Sequence, residues 1–210
     1  MSSNKDGIII ILSSPSGAGK TTLVKKISKI ANFHTSISYT TRIPRINELD
    51  GKDYFFIKEI EFNTLIKNNE LLEYAKVFNN FYGSSKKKVL NKLNEGMNVI
   101  FDIDWQGTQQ IKEQELNYKL LTFFILPPSK KILLSRLAER ENNNEKVIKE
   151  RMEKFDQDVL HWKDYDYVVI NDNLEICYNS ILEVIEHYKN NKKIEFDRNH
   201  IENHIKYLLK

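Results

Sequence analysis

The chain has 210 residues, of which 40% are hydrophobic and 29% are charged, and its formal net charge is +3. These proportions are ordinary for a soluble globular protein, and the length allows one substantial core with small inserted subdomains. The mild positive charge permits an anionic substrate but does not indicate a nucleic-acid partner. No apolar run approaches the length of a membrane span. From the charge and the run lengths together, we expect neither a nucleic acid nor a membrane as a partner.

The single cysteine, Cys177, excludes an intramolecular disulfide and fits a reducing compartment. Its position in an apolar helical stripe predicts a core residue rather than a nucleophile. Residues 1–6 are polar and lead directly into the first apolar run, which leaves no room for a signal peptide. We therefore expect a cytoplasmic protein.

The first predicted element is a buried strand at residues 8–12, which is followed by a glycine-rich turn and then by an amphipathic run. A strand, a glycine-rich turn and a helix in this order are the context of a phosphate-binding P-loop. Small residues let successive N–H groups of the turn point at one anion, and the helix adds its positive end to the same spot. The turn therefore predicts a nucleoside triphosphate site made of Ser14, Pro15, Ser16, Gly17, Ala18, Gly19, Lys20 and Thr21.

Three positions of this turn have distinct expected roles. Lys20 can reach the terminal phosphates, and the hydroxyl of Thr21 suits Mg²⁺. Ser14 stands where the usual pattern has glycine, and its Cβ is tolerable if the backbone angle φ is negative there. The alternative is a chance Gly/Ser turn between a strand and a helix. The helix that follows is expected to bury Leu23, Val24, Ile27, Ile30 and Ala31.

Further buried strands are predicted at residues 98–103, 120–126 and 166–170, which are short and nearly all apolar. Helical patterns separate these runs, and the clearest helix covers residues 174–188. The alternation of strands and helices predicts an α/β fold with a parallel sheet.

Two segments break this rhythm. Aromatic and β-branched residues cluster near residues 37–41, 53–57 and 73–78 and predict a small, mostly antiparallel insertion with one helix near residues 59–68. Residues 128–159 read as two charged helices, the first capped by Ser129, and have the character of a mobile lid. The last residues predict a further helix with an apolar face of Ile201, Ile205, Leu208 and Leu209.

Two arginines, Arg42 and Arg45, lie three residues apart with a proline between them. Two guanidinium forks presented from one loop suit a phosphate group, because each fork can bind two oxygens at once. Tyr54 and Tyr82 are candidate hydroxyl donors to the same group. In the alternative interpretation, the arginines are solvated surface residues. The tyrosines then pack their rings against the protein and expose their hydroxyl groups to water.

Glu73 is a lone carboxylate in an otherwise apolar predicted strand. A carboxylate offers two acceptors side by side, which match the ring N–H and the exocyclic amine of guanine but mispair with adenine. Ser38 and Ser84 are candidate donors to the guanine carbonyl oxygen, and Asp104 is a candidate acceptor for another exocyclic proton. In the alternative interpretation Glu73 faces outward, and Asp102 or Asp104 only caps the helix that follows.

Taken together, these motifs make the chain similar to the guanylate kinase family from near its N-terminus to about residue 190. The matching runs, in order and with family-like gaps, are SSPSGAGKT, SYTTRIPR, GKDYFF, LLEYA, FYGSS, FDIDWQG, FILPPS and VINDN. The departures are Ser14 in place of a frequent glycine, Tyr39 where a small residue is common, and a tail for which no counterpart is identified.

The resemblance implies a three-layer P-loop NTPase core with a parallel sheet, a small mixed α/β GMP-binding insertion and a helical lid. We expect the core to comprise residues 1–36, 93–127 and 160–190, the insertion residues 37–92 and the lid residues 128–159. We expect residues 191–210 to form a C-terminal helical extension, and whether the chain forms a homo-oligomer stays open.

The resemblance also implies an activity, the ATP-dependent phosphorylation of GMP, and of dGMP, with Mg²⁺ as cofactor. Lys20, Arg42, Arg136 and Arg151 are expected to be catalytic, Thr21 to contact the metal, and Arg140, Asn171 and Asp172 to line the ATP site. For each lid arginine, the alternative is an ordinary surface arginine. The GMP site is expected to comprise Ser38, Arg42, Arg45, Tyr54, Glu73, Tyr82, Ser84, Asp102 and Asp104.

Two other functions stay open at this point. One is a P-loop kinase with a different acceptor. The combination of Glu73 with Ser38 and Ser84 favours a guanine nucleotide over another acceptor. The other is a guanylate-kinase-like domain that binds phosphorylated protein partners without catalysis. The intact Lys20 and Thr21 argue against this second function, because such a module can lose the triphosphate loop.

Overall fold

The computed structural model describes residues 7–192 and 194–210, and the predicted absence of a signal peptide in residues 1–6 lies outside this part. Its strands are β1 (Ile9–Ser13), β2 (Phe33–Thr35), β3 (Tyr39–Thr40), β4 (Phe55–Phe56), β5 (Leu71–Val77), β6 (Asn80–Ser85), β7 (Asn98–Asp102), β8 (Leu120–Leu126) and β9 (Tyr167–Ile170). Its helices are α1 (Lys20–Ile27), α2 (Glu59–Lys67), α3 (Lys86–Asn94), α4 (Trp105–Glu113), α5 (Lys130–Arg140), α6 (Glu145–Asp158), α7 (Leu174–Lys189) and α8 (Arg198–Leu208). Among the described residues, no helix has the length and apolar character that crossing a membrane requires.

One sheet holds five strands in the order β2-β7-β1-β8-β9, and its β2–β7 and β8–β9 pairs are parallel. Every residue of β1 and all but the first of β8 are buried, as expected for strands covered on both faces. The predicted α/β class with a parallel sheet is confirmed. The apolar-run pattern misses β2, because this edge strand is short and includes the polar residues His34 and Thr35.

The second sheet has four strands in the order β4-β3-β6-β5, all within the predicted insertion at residues 37–92. Strand β6 pairs antiparallel with both β3 and β5, whereas β3 and β4 run parallel. The prediction of short, mostly antiparallel strands in this segment is therefore confirmed. Helix α2 begins where the sequence predicts it.

The chain divides into two compact units, each with its own apolar core. The first unit comprises Ile30–Leu120 and the chain up to Ile11, and the second comprises Leu12–Lys29 and Leu121–Lys210. The core cluster of the first unit is formed by Ile9, Ile11, Leu72, Val89, Leu93, Val99, Phe101, Ile103 and Ile111. The core cluster of the second unit is formed by Phe124, Leu126, Leu133, Leu137, Phe155, Val159, Trp162, Tyr165, Val168, Ile201, Ile205 and Leu208.

The C-terminal helix α8 is part of the second core. Its Ile201, Ile205 and Leu208 lie on one face and are buried among side chains of α5 and α6. The predicted apolar face is confirmed at these positions. It is wrong at Leu209, which is 37% exposed because the helix ends at Leu208 and the next residue lies beyond it.

Helix α1 is shorter than its apolar pattern predicts. It ends at Ile27 and buries Leu23, Val24 and Ile27. Ala31 is exposed, contrary to the prediction, because the chain leaves the helix before this residue and begins β2 at Phe33.

Cys177 on α7 is buried and not disulfide-bonded. Burial raises the pKa of its thiol to about 12, against the opposing charge of Arg136. The thiol is therefore protonated at neutral pH, and the prediction of a core residue is confirmed.

Candidate functional site

The turn after β1 has the backbone shape of an anion-binding loop. Gly17 and Gly19 have φ angles of 90° and 96°, a region that glycine enters without steric cost. In the described part of the chain Ser14 is not among the residues with positive φ, so its Cβ is tolerated where the usual pattern has glycine. Gly19 is needed for a second reason, because a Cβ there would lie well under 3.0 Å from Nδ2 of Asn171.

Helix α1 begins directly after this turn, with Gly19 as its N-cap and Lys20 as its first residue. Its first turn contains no acidic side chain, so the positive end of the helix is not neutralised locally. Thr21 is exposed in the same turn. The loop and the start of the helix therefore carry the kinds of group that an anion site requires: backbone N–H groups, an ammonium group and a hydroxyl.

The same turn fits the metal that the resemblance implies. Mg²⁺ in phosphotransferases keeps several waters and takes one or two protein oxygens together with substrate phosphates. The exposed hydroxyl of Thr21 suits that pattern. Residues 7–192 and 194–210 contain no group of three or more His, Cys, Asp or Glu able to form an all-protein metal site.

Two side chains brace the loop from within the second unit. Asn171 Nδ2 donates to the Ala18 carbonyl oxygen at 2.8 Å, and Arg136 Nη1 donates to the same oxygen at 3.4 Å. Arg136 Nη2 also donates to the Asn171 carbonyl oxygen at 3.1 Å. Asn171 is buried by these contacts, whereas Asp172 is exposed. The bordering of adenine by Asn171 and Asp172 stays a prediction.

Arg140 and Arg151, from α5 and α6, meet at the same loop. Arg140 Nη2 and Arg151 Nη1 each donate to Ser16 Oγ at 2.7 Å. Glu141 joins the pair, with its Oε1 at 2.9 Å from Arg140 Nε and 3.3 Å from Arg151 Nε. An anion matches two guanidinium groups better than a neutral hydroxyl does, so the cluster can take phosphate oxygens. The structure thus brings all the predicted lid arginines to the loop.

In the first unit, Glu73 is buried on β5 with only 3% of its surface exposed. A register shift in the β5–β6 pairing between Leu71 and Glu73 places Glu73 opposite Ser84. Such an irregularity re-aims a side chain locally. The alternative in which Glu73 faces outward is therefore wrong.

Glu73 ends a row of buried hydroxyl groups. Ser84 Oγ donates to Glu73 Oε1 at 2.6 Å, and Ser38 Oγ lies 3.4 Å from Ser84 Oγ. Because the one Ser84 proton is engaged with Glu73, Ser38 is the donor in the second contact. Both serines are buried. A buried polar row of this kind selects a ligand edge with matching donors and acceptors, because an unpaired polar group there is costly.

A carboxylate that the sequence reasoning misses, Glu48, joins Arg42 to Arg45. Arg42 Nη2 lies 2.8 Å from both Glu48 oxygens, and the Arg45 backbone N–H donates to Glu48 Oε2 at 2.8 Å. Burial pushes the pKa of Glu48 upward, but the hydrogen bonds from Arg45 and Arg42 and their charges outweigh it, so this pKa is lowered. Arg42 is only 13% exposed, so the solvated alternative is wrong for this residue.

Tyr54 and Tyr82 lie beside Arg42. The guanidinium of Arg42 is 5.4 Å from the centre of the Tyr54 ring, and the Tyr54 and Tyr82 rings meet edge-on at 5.9 Å. Burial, followed by the charge of Asp102, raises the pKa of Tyr54, so its hydroxyl keeps its proton at neutral pH. The predicted phosphate-binding arginines and tyrosines are thus brought together in the first unit.

Asp104 is the N-cap of α4. Its Oδ1 accepts from the Gly107 N–H at 3.1 Å, and its Oδ2 accepts from Gln106 Nε2 at 3.0 Å. The capping alternative is therefore confirmed for Asp104, and its contact with a nucleotide stays a prediction. Asp102, at the end of β7, is half-buried and acts electrostatically on Tyr54.

Replacing Glu48 with glutamine tests whether the arginine pair is held by charge. We expect Glu48→Gln to lower the free energy of unfolding by about 1–2 kcal/mol at pH 7, after allowance for partial solvent exposure. A carboxyl group with a lowered folded-state pKa stabilises the fold above its unfolded-state pKa. That stabilisation is lost as the pH falls through the folded-state value. Urea unfolding of both proteins from pH 7 to about pH 3.5 measures this difference.

The exposed Glu59→Gln, on α2, is the matched control and should change little at any pH in the series. A difference between wild type and Glu48→Gln that stays constant down to the acid end would contradict the role given to Glu48.

Glu48 and Glu141 are the carboxylates that motif reasoning misses. Each has a local signal, because Glu48 follows Arg45 by three residues and Glu141 follows Arg140 directly. Acidic residues so close to proposed phosphate-binding arginines indicate pairing in the absence of ligand.

The fold and these side chains define a class of protein. An α/β chain with a parallel sheet, a P-loop that keeps its lysine and threonine, and arginines gathered on that loop is a P-loop phosphotransferase of the nucleoside monophosphate kinase class. A model of the family described as guanylate kinase matches residues 7–188. The chain belongs to the guanylate kinase family.

Individual relatives agree with this assignment. The chain is 49% identical over 180 residues to a guanylate kinase of Rickettsia prowazekii, covering 85% of this chain and 90% of that protein. It is 44% identical over 206 residues to a guanylate kinase of Blochmanniella floridana, covering 97% and 96% of the two chains. The second match reaches into the tail, so the expectation of a tail without a counterpart is wrong for this relative.

A solved structure is also similar. The crystal structure of guanylate kinase from Anaplasma phagocytophilum superimposes with a TM-score of 0.70 at 31% sequence identity. The superposition covers 88% of this chain and 87% of that one. The predicted P-loop NTPase fold is therefore confirmed.

Proposed function

We propose that this chain transfers the γ-phosphoryl group of ATP to GMP, and also to dGMP, in purine nucleotide metabolism. The observation that carries the guanine assignment is the buried row of Glu73, Ser84 and Ser38. Glu73 Oε1 accepts from Ser84, and a carboxylate oxygen can accept more than one hydrogen bond, so Oε1 and Oε2 form a pair of neighbouring acceptors. The ring N–H and exocyclic amine of guanine match this pair, whereas the corresponding edge of adenine presents an acceptor and a donor.

The residues proposed to bind the phosphate of GMP are Arg42, Arg45, Tyr54 and Tyr82. Glu48 holds the two arginines in one loop, and burial keeps the Tyr54 hydroxyl protonated as a donor. Two guanidinium groups and two hydroxyls complement a phosphate dianion. Asp102 is assigned to ordering metal-bound water or an arginine, and Asp104 to an exocyclic proton of guanine.

The phosphates of ATP are assigned to the loop amides of residues 14–21 and to Lys20. The hydroxyl of Thr21 would hold Mg²⁺, which would supply neutralisation of phosphate charge. Arg136, Arg140 and Arg151 are assigned to the charge that develops on the transferring group, and their contacts with the loop support this role. Asn171 and Asp172 are assigned to the adenine side.

The proposed reaction requires little covalent chemistry from the protein. Phosphoryl transfer depends mainly on positioning and on charge stabilisation, and well-oriented reactants can gain roughly 7–11 kcal/mol from positioning alone. In-line attack by a phosphate oxygen of GMP on the γ-phosphorus breaks the bond to the bridging oxygen, which leaves with ADP. The single buried cysteine fits a cytoplasmic setting for this enzyme.

The acceptor distinguishes this proposal from its rivals. We expect wild-type protein to release ADP with GMP and dGMP and to react far more slowly with AMP, CMP and UMP. Glu73→Gln replaces one acceptor with an amide donor and should lower kcat/KM for GMP by roughly 100- to 1,000-fold. The loss with dGMP should be similar, because dGMP has the same guanine base. The effect on AMP, CMP and UMP should be small, because these bases do not present the guanine edge to the carboxylate pair.

The exposed Glu59→Gln is the control, since it removes a carboxylate of the same unit without touching the polar row. An equal loss with every acceptor would refute the role of Glu73. Absence of ADP release with all five nucleotides would instead support the rival of a binding module without catalysis.

A further inference from the structure

Gly107, in the first turn of α4, lies directly against the carboxylate of Glu73. A Cβ at this position would fall well under 3.0 Å from Glu73 Oε2 and 3.1 Å from Glu73 Cδ. Cβ atoms in real structures essentially never approach other atoms that closely. A side chain at residue 107 would therefore have to displace either the helix or the carboxylate.

The backbone does not require glycine here. Gly107 is not among the described glycines with positive φ, and it lies inside a helix, where alanine is the better helix former. The glycine is therefore unfavourable for α4 taken alone. What glycine provides at position 107 is the space beside the Glu73 carboxylate.

Helix α4 is held against strand β5 on both sides of Glu73. Gln110 accepts from the Tyr74 N–H at 3.0 Å and donates to the Tyr74 carbonyl oxygen at 2.7 Å, and Gln114 donates to the Leu72 carbonyl oxygen. Residues 107, 110 and 114 share one helix face. Because β5 is the edge strand of its sheet, these amides pair backbone groups that the sheet leaves open.

The carboxylate is therefore the part that would move. Retreat of α4 would break the hydrogen bonds made by its glutamines, whereas Glu73 can rotate about its side-chain bonds. Rotation of Glu73 would disturb the 2.6 Å contact between its Oε1 and Ser84 Oγ. Both acceptor oxygens would then leave the orientation that the guanine edge requires.

We propose that Gly107 is a specificity-determining positioning residue, whose missing side chain leaves the space in which Glu73 presents both oxygens to guanine. This inference rests on the proposed function of the same polar row. It assigns to Gly107 a role in recognition that is exercised through the position of Glu73.

The test is Gly107→Ala, measured by calorimetric GMP binding, by kinetics with GMP and AMP, and by thermal unfolding. We expect the Kd and KM for GMP to rise roughly 10- to 100-fold with a smaller change in kcat, since a small misplacement of a recognition group has effects of this size. The preference for GMP over AMP should fall by a similar factor. The melting temperature should fall by only a few degrees, because the preference of alanine for the helix offsets part of the cost of the disturbed contact between Glu73 and Ser84.

A double-mutant comparison separates action through Glu73 from a general disturbance of α4. In a Glu73→Ala background the obstructed carboxylate is gone, so adding Gly107→Ala should leave GMP affinity unchanged. Gln109→Ala, at an exposed position of the same helix, is the matched control and should behave as wild type.

Two results would overturn the inference: wild-type GMP affinity and selectivity in Gly107→Ala, or an equal loss of affinity in the Glu73→Ala background. Calorimetry keeps this test separate from the proposed function. Wild-type protein that binds GMP but releases no ADP would refute the catalytic proposal, while the binding comparison would still decide the role of Gly107.

Discussion

Lys20→Ala is expected to reduce kcat for GMP phosphorylation by roughly 100- to 1,000-fold, the size of effect seen when one transition-state donor is removed. Lys20 is the first residue of α1, directly after the loop that turns at Gly17 and Gly19. Its ammonium group is assigned to the phosphates between which the bond breaks, where negative charge increases during transfer. Steady-state ADP release at saturating ATP and GMP measures the loss.

The fold should survive this substitution, because alanine is a favourable residue in the first turn of a helix. Thermal unfolding and GMP binding by calorimetry should therefore match wild type. Lys29→Ala removes an exposed lysine just after the same helix and serves as the charge-matched control. A Lys20→Ala enzyme with a kcat within a few-fold of wild type would contradict the assignment of the loop.

Leu208→Ala is expected to lower the free energy of unfolding by about 2–5 kcal/mol, the usual range for a fully buried leucine. Leu208 is 0% exposed and packs in the same cluster as Leu133, Leu137 and Trp162. The substitution removes apolar contact from that cluster and leaves a cavity. Urea unfolding followed by far-ultraviolet circular dichroism measures the difference from wild type.

The neighbouring Leu209→Ala supplies a control of identical chemistry. Leu209 is 37% exposed, so its loss should lower the free energy of unfolding by less than about 1 kcal/mol. Equal effects of the two substitutions would show that α8 is not part of the core of the second unit. The pair thus tests the C-terminal helix without truncating the chain.

The triphosphate loop could be predicted from sequence because its determinants are local. An apolar strand, two glycines, a lysine and a threonine follow one another within a few residues, and each acts through its own backbone or side chain. The structure agrees in detail, down to a Ser14 outside the positive-φ region. The apolar strands β1 and β8 were predictable for the same reason, since burial on both faces leaves a continuous apolar run.

The contacts that support the proposed guanine site could not be predicted in this way, because they join distant segments of the chain. The inward direction of Glu73 follows from a register shift against β6, and the space it occupies is left by Gly107 on α4. The sequence pattern of β5 alone shows neither the register shift nor the space left by Gly107. The errors at Ala31 and Leu209 have a similar origin, because helix ends are set by the chain that follows.

The most direct test of the central claim, that a buried carboxylate reads guanine, compares GMP with inosine monophosphate. The two nucleotides differ only in the exocyclic amine, so inosine monophosphate leaves one oxygen of Glu73 without its donor. The wild-type enzyme should favour GMP by roughly 10- to 100-fold in kcat/KM, and Glu73→Gln should lose most of that preference. Equal use of both nucleotides by the wild-type enzyme would contradict the account.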